Sequence, residues 1–127
     1  MKINYFKIAF LFFLLSTIIF SCKKENSFPD PLQAGWNNQA VCELLEENEN
    51  IRVLKCTFKP GVGHQRHYHK RHFGYALAGS TFRITDANGT REVTSTTGSH
   101  FYSEGTEWHK VLNIGDSTAI FLIIEPK

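Results

Sequence analysis

Four of the six histidines in this chain fall within nine residues, at His64, His67, His69 and His72. Imidazole is a ligand for Fe, Zn, Cu and Ni. His67 and His69 are two residues apart, and on a β-strand such residues share a face. Two neutral rings converging from one strand make half of a divalent-metal site. A further ligand has to come from elsewhere, and His109, opening the stretch HKVLNI, is the candidate. The competing reading is a solvated, weakly basic loop. Arg66, Lys70 and Arg71 are interleaved with the histidines. They are either outward strand residues or a lure for an anionic substrate. His64 reads as a residue behind the ligands or at the entrance to the site. His100, which alternates with Tyr102, reads as a packed or surface residue.

A metal held by three neutral imidazoles keeps its full 2+ charge and leaves positions open for water or substrate. The expected cofactor is one divalent transition metal: Fe, Mn, Ni, Cu or Zn. No other catalytic apparatus is legible. There is no Ser/His/Asp arrangement, no phosphate-cradling glycine loop and no second acid to pair with a base.

The elements that would position these histidines are short strands. QAVCELLE and IRVLKCTF flank ENEN and predict a hairpin with Cys42 opposite Cys56 and Leu44 opposite Leu54. Cross-strand partners have Cβ atoms about 4.5–5.5 Å apart, near disulfide range. RHYHK, HFGYALA and STFRIT follow. The tetrad DANG (Asp86–Gly89) is a turn signal. TREVT, SHFY, an EGTE turn, HKVLNI and TAIFLIIE complete the chain. No long stretch carries apolar residues at helical spacing. About nine strands divided by turns predict an antiparallel sandwich or barrel. Trp36 and Trp108 read as packing residues or as the rim of a ligand mouth. Asn113 is expected to hold a turn through its amide. Glu43, Glu46, Glu47 and Glu49 read as a solvated hairpin end.

The first 24 residues carry an expectation of where the chain goes. Lys2 and Lys7 precede Ile8–Phe20, a 13-residue apolar run. That is short for a membrane span and fits a secretory signal over residues 1–21. Ser21-Cys22-Lys23-Lys24 then resembles the bacterial lipoprotein signal, in which the cysteine is acylated, although Phe20 replaces the small residue usual there. The implied protein is exported to the cell envelope and lipid-anchored through Cys22. Residues 22–35 read as a polar tether and 36–127 as the domain. Removing 1–21 takes away two lysines and no acid, leaving twelve bases against twelve acids. A neutral domain offers no electrostatic basis for binding nucleic acid. Outside the cytoplasm Cys42 and Cys56 are either a disulfide or two buried thiols.

Gly61-x5-His67-x-His69, closing at Gly79, resembles the first motif of the cupins, and Gly98, Gly105, His109 and Asn113 resemble the second. The resemblance covers roughly residues 39–126. It implies a single antiparallel, jelly-roll-like β-barrel with a metal inside, and pairing into a homodimer. Cupins usually add a Glu ligand after His-x-His. That place falls on Phe73 counting forward from His69, or on His72 counting back from Gly79. His72 is the candidate fourth ligand. Apolar periodicity points the other way, with Phe73, Tyr75 and Leu77 inward and His72 out; Phe73, Tyr75 and Trp108 are then candidate pocket residues. In the second motif a usual proline is missing and one residue is added after Gly105. Cupins with three or four histidine ligands include dioxygenases of diketones, thiols and phenolic compounds. The leading expectation is a metal-dependent oxygenase or isomerase of a small molecule. The alternatives are a noncatalytic small-ligand module at the membrane and a metal-holding envelope protein.

Overall fold

The computed structural model describes residues 26–127. The expected signal peptide and Cys22 lie outside the described residues. No helix forms among the described residues. The strands are β1 (Gly35–Trp36), β2 (Gln39–Ala40), β3 (Cys42–Glu47), β4 (Ile51–Phe58), β5 (Gly63–His69), β6 (His72–Ala78), β7 (Ser80–Asp86), β8 (Gly89–Ser95), β9 (His100–Ser103), β10 (Thr106–Asn113) and β11 (Ala119–Pro126).

Two antiparallel sheets face each other, in the orders β3-β4-β11-β6-β9 and β5-β10-β7-β8. This is the expected jelly roll, although hydrogen bonds do not close the sheets into one cylinder. Alternation decides what lies between them. On β4, Leu54, Cys56 and Phe58 are buried; on β11, Ala119, Phe121, Ile123 and Glu125 are. From the other sheet come Phe82 and Val111. Phe58, Phe82 and Phe121 meet edge to face with centroids 5.3–6.4 Å apart and join the layers. Such pairs add to the area they bury.

The predicted hairpin has the predicted register: Cys42 pairs with Cys56, which a disulfide joins, and Leu44 pairs with Leu54. In the DANG turn, Asp86 Oδ1 accepts the Asn88 N–H at 2.8 Å. Asn113 is fully buried. Its Nδ2 donates to Phe58 O at 2.9 Å and Ser117 O at 2.8 Å. Its Oδ1 accepts from Ser80 Oγ at 2.8 Å and Gly115 N at 3.0 Å. One amide thus ties the end of β10 to three other segments.

The expected tether does not run free up to residue 35. Pro31 and Ala34 are buried, and Leu32 and Trp36 pack against the core. Asp30 pairs with Arg52 at 2.6 Å. Pro29 O accepts the Tyr68 N–H at 3.1 Å. Residues 28–34 therefore form a strap along β5. The β1–β2 turn that follows uses Asn37 and Asn38 at φ 49° and 62°, a left-handed pair suited to a two-residue hairpin.

Candidate metal centre

His67 and His69 lie on β5, two residues apart and buried. His109 lies on the neighbouring β10, opposite His67. Two bulges flank that pair. Between His64 and His67 three steps on β5 match two on β10; between Thr106 and His109 three steps on β10 match two on β5. The residue added after Gly105 in the sequence is absorbed as the second bulge. Bulges re-aim side chains, and the first one brings His64 to the inner face with His67.

The three ligand nitrogens converge. His67 Nε2 is 2.9 Å from His109 Nε2 and 3.0 Å from His69 Nε2. Their mutual distances all lie within 4.8 Å. The other ring nitrogens explain which lone pairs are free. His67 Nδ1 donates to Gln65 O at 2.6 Å, which leaves its Nε2 a bare acceptor. One lone pair cannot serve two N–H donors, so three Nε2 atoms this close are poorly matched to each other and well matched to a cation. Two nitrogens each about 2.1 Å from one ion are about 3.0 Å apart at right angles and about 3.4 Å apart in a tetrahedron. The spacings of 2.9 and 3.0 Å are of that order. The residues present fit a transition metal.

His72 stands outside the convergent group. It is buried on β6 with its ring 4.6 Å from that of His69. Its Nδ1 donates to Lys70 O at 2.7 Å, so its Nε2 is a free base facing the interior. His64 is buried rather than at an entrance. Its ring lies 3.8 Å from that of His67, and its Nε2–H is shared by Pro31 O and Ala34 O at 3.0 and 3.2 Å. It carries the opposite tautomer and fastens the strap.

Burial sets the protonation of this cluster. Desolvation pulls His64 down to about 4 and His109 down to about 3, with neighbouring imidazoles adding to the effect. His67 is pushed far below the usual range by burial and then by the rings of His64, His109 and His69. His72 is lowered by burial. These rings are neutral at pH 7, the state a metal ligand needs.

A cavity of about 130 Å³ adjoins the histidines. Its other walls are mostly apolar, led by Phe58, Phe82, Phe101, Phe121 and Ile84. Phe101 comes from β9 and is 43% exposed, so it stands at the mouth. It reaches there over Gly74, where a Cβ would lie 2.2 Å from its ring.

Three candidate pocket residues are corrected. Phe73 and Tyr75 belong to the outer face of β6, because His72, Gly74 and Ala76 take the inner one. The aromatic side chains pair outside: Phe73 lies opposite Ile124, Tyr75 opposite Leu122, and Phe73 stacks on His100. Trp108 turns away from the cavity, with Arg66 4.3 Å over its ring and Phe28 5.9 Å away. Trp36 packs against Gly63.

The sequence reading omitted Glu125. It is 2% exposed, with Oε2 bonded to Arg52 Nε at 2.7 Å and Oε1 3.6 Å from His69 Nδ1. Burial opposes its ionisation, but the His69 ring and the Arg52 guanidinium hold its carboxyl below the usual range. The signal was available, since a charged residue at the inward position of IFLIIEP requires a buried partner.

The cupin domain family profile matches residues 54–125. No curated protein matches the chain. Among solved structures, a cupin domain from Bordetella pertussis Tohama I is similar at 22% identity and TM-score 0.65, over 68% of this chain and 92% of that one. The polyketide cyclase RemF from Streptomyces resistomycificus is similar at 20% identity and TM-score 0.52, over 67% of this chain and 63% of that one. A predicted oxalate decarboxylase from Thermotoga maritima is similar at 18% identity and TM-score 0.51, over 68% of this chain and 79% of that one. At such identities the likeness is one of fold.

Proposed function

The chain belongs to the cupin domain family, and from that premise we propose a lipid-anchored envelope protein whose His67, His69 and His109 hold one divalent transition metal and act on a ring-sized small molecule. The convergence of three Nε2 atoms within 4.8 Å carries this reading.

The cavity limits the ligand. Its 130 Å³ is close to the roughly 150 Å³ that holds one benzene, and below the roughly 300–1,000 Å³ of drug-sized sites. One end is lined by imidazoles and the rest mostly by aromatic and aliphatic carbon, with Ser95 and Cys56. A compact apolar body with an oxygen-donor head at the metal end fits both parts. When bound, the metal supplies a Lewis acid for that head. Phe58, Phe82 and Phe121 exclude water around the body, and His72 Nε2 offers a proton acceptor. An oxygenase or isomerase reaction suits this set. Export and acylation at Cys22 would hold the domain at a membrane.

The test is elemental mass spectrometry of the untagged full chain in detergent, beside a His67→Ala/His69→Ala variant. Near-stoichiometric transition metal, lost in the variant, is expected. No metal in either protein after reconstitution would sink the proposal and move the cavity to metal-free ligand binding. Labelled palmitate should enter the wild type and not Cys22→Ser; equal labelling would remove the lipid anchor.

A further inference from the structure

Among the described residues, two buried side-chain polar atoms lack a hydrogen-bond partner: Nδ1 of His69 and Oε1 of Glu125. They face each other at 3.6 Å. That is longer than a hydrogen bond, yet each is the polar neighbour the other needs. Glu125 is held from its far side. Its Oε2 accepts from Arg52 Nε at 2.7 Å, and the same guanidinium donates to Asp30 Oδ2 at 2.6 Å. Asp30 is itself fixed in the strap: its Oδ1 accepts the Leu32 N–H at 2.9 Å, and its backbone O accepts from Gln33 and Ala34.

The chemistry of the donors gives the chain Asp30–Arg52–Glu125–His69 a direction. Arg52 offers only N–H donors, so it occupies one Glu125 oxygen and leaves the other as a spare acceptor. That acceptor selects the His69 tautomer with hydrogen on Nδ1. The lone pair then sits on Nε2, the nitrogen 3.0 Å from His67 Nε2. Metal-binding histidines commonly give their second N–H to a carboxylate or carbonyl. His67 uses the carbonyl of Gln65, and Glu125 offers His69 the more basic alternative. Oε1 approaches Nδ1, so the carboxylate stands behind the ring, away from the point where the three Nε2 atoms meet.

Resting on the metal reading above, we propose that Glu125 is the positioning residue of the centre, fixing His69 as an Nε2 ligand, and that Arg52 and Asp30 tie this function to the strap.

Glu125→Gln tests it, because the variant is isosteric. Arg52 will claim the amide oxygen, so the amide NH2 must turn to His69 Nδ1 and move the ring hydrogen to Nε2. In the metal-free full chain in detergent micelles, 15N spectra of labelled histidine should show His69 as the Nδ1–H tautomer in wild type and the Nε2–H tautomer in Glu125→Gln. Chelator competition with Zn2+ and Co2+ should give an affinity about 10–100-fold lower in the variant. The Co2+ ligand-field bands should be unchanged once metal is loaded. Asp30→Ala should cost several-fold alone and nothing further on top of Glu125→Gln, since both act along one path.

An unaltered tautomer with affinity within threefold of wild type would overturn the proposal. A changed Co2+ coordination in Glu125→Gln would also overturn it, by making Glu125 a ligand itself. Equal losses for Asp30→Ala in both backgrounds would cut the strap from the chain. Failure of wild type to bind either ion would strike the metal reading, whereas the metal-free tautomers would still decide the role of Glu125.

Discussion

Asn113→Ala should be the costliest small substitution in this fold away from the histidines. The amide has two donors and two acceptor sites, and all four are used, at 2.8–3.0 Å. Alanine removes every one. Two of the abandoned partners, Phe58 O and Ser80 Oγ, lie where the contact is buried and water cannot replace it. Each should cost about 1–2 kcal/mol. The contacts of Ser117 O and Gly115 N are only part-buried, and each should cost about 0.5–1 kcal/mol. The sum is about 3–6 kcal/mol, or a melting point lower by roughly 15–30 °C in a domain of this size. Urea unfolding of the metal-free protein reads it as a lower midpoint with unchanged slope. Ser80→Ala, which removes one bond of the four, should cost about 1 kcal/mol. Asn113→Asp should be at least as harmful as alanine at pH 7, because it turns a carboxylate oxygen toward two carbonyl oxygens. If Asn113→Ala costs less than about 1 kcal/mol, the reasoning from satisfied buried polar groups fails here.

Acid should destabilise the metal-free protein. His64 at about 4 and His109 at about 3 are neutral when folded, whereas the unfolded chain takes up protons near 6.5. Stability is therefore complete above about pH 6.5 and falls as the pH drops toward the folded values; His64 alone gives about 2 kcal/mol at pH 5. Equal urea midpoints at pH 7.5 and 5 would contradict this. Reducing the Cys42–Cys56 disulfide, or replacing both cysteines by serine, should cost about 3 kcal/mol, the expectation for a closed loop of about 15 residues; the urea midpoint with and without reductant measures it. Gly74→Ala should push the Phe101 ring from its place over β6. Metal loss to a chelator should then speed up several-fold with a stability change under about 1 kcal/mol, and an unchanged rate would remove Phe101 from the mouth.

What could be read from the sequence was local or periodic. His67 and His69 share a face because a strand has period two, and the Cys42–Cys56 register followed from the length of one hairpin. His109 came from motif spacing, which survived the added residue because a bulge absorbed it. Other features depended on contacts between distant segments. Strand parity counted back from His67 puts His64 outside, and the β5 bulge reverses that. On β6 the apolar residues mark the outer face, since β11 supplies Ile124 and Leu122 as outer neighbours and β9 supplies Phe101 to fill the space over Gly74. Residues 28–34 looked like linker because their composition is polar and proline-rich. What docks them is a pairing of Asp30 with Arg52 and two carbonyls meeting His64, none of which composition reveals.

Because the two large sheets do not close, they present four strand edges among the described residues, places where a second chain could add a strand. Each edge is blunted differently. β3 carries a bulge between Leu44 and Glu46 with acids around it, β9 is only four residues long, and β8 is exposed and bears Arg91 and Glu92. β5, the strand that carries His67 and His69, has the strap beside it. The strap is thus also a guard against aggregation. A chain without residues 28–34 would bare the edge of the strand that carries His67 and His69, and that strand would be the first to pair with a wrong neighbour.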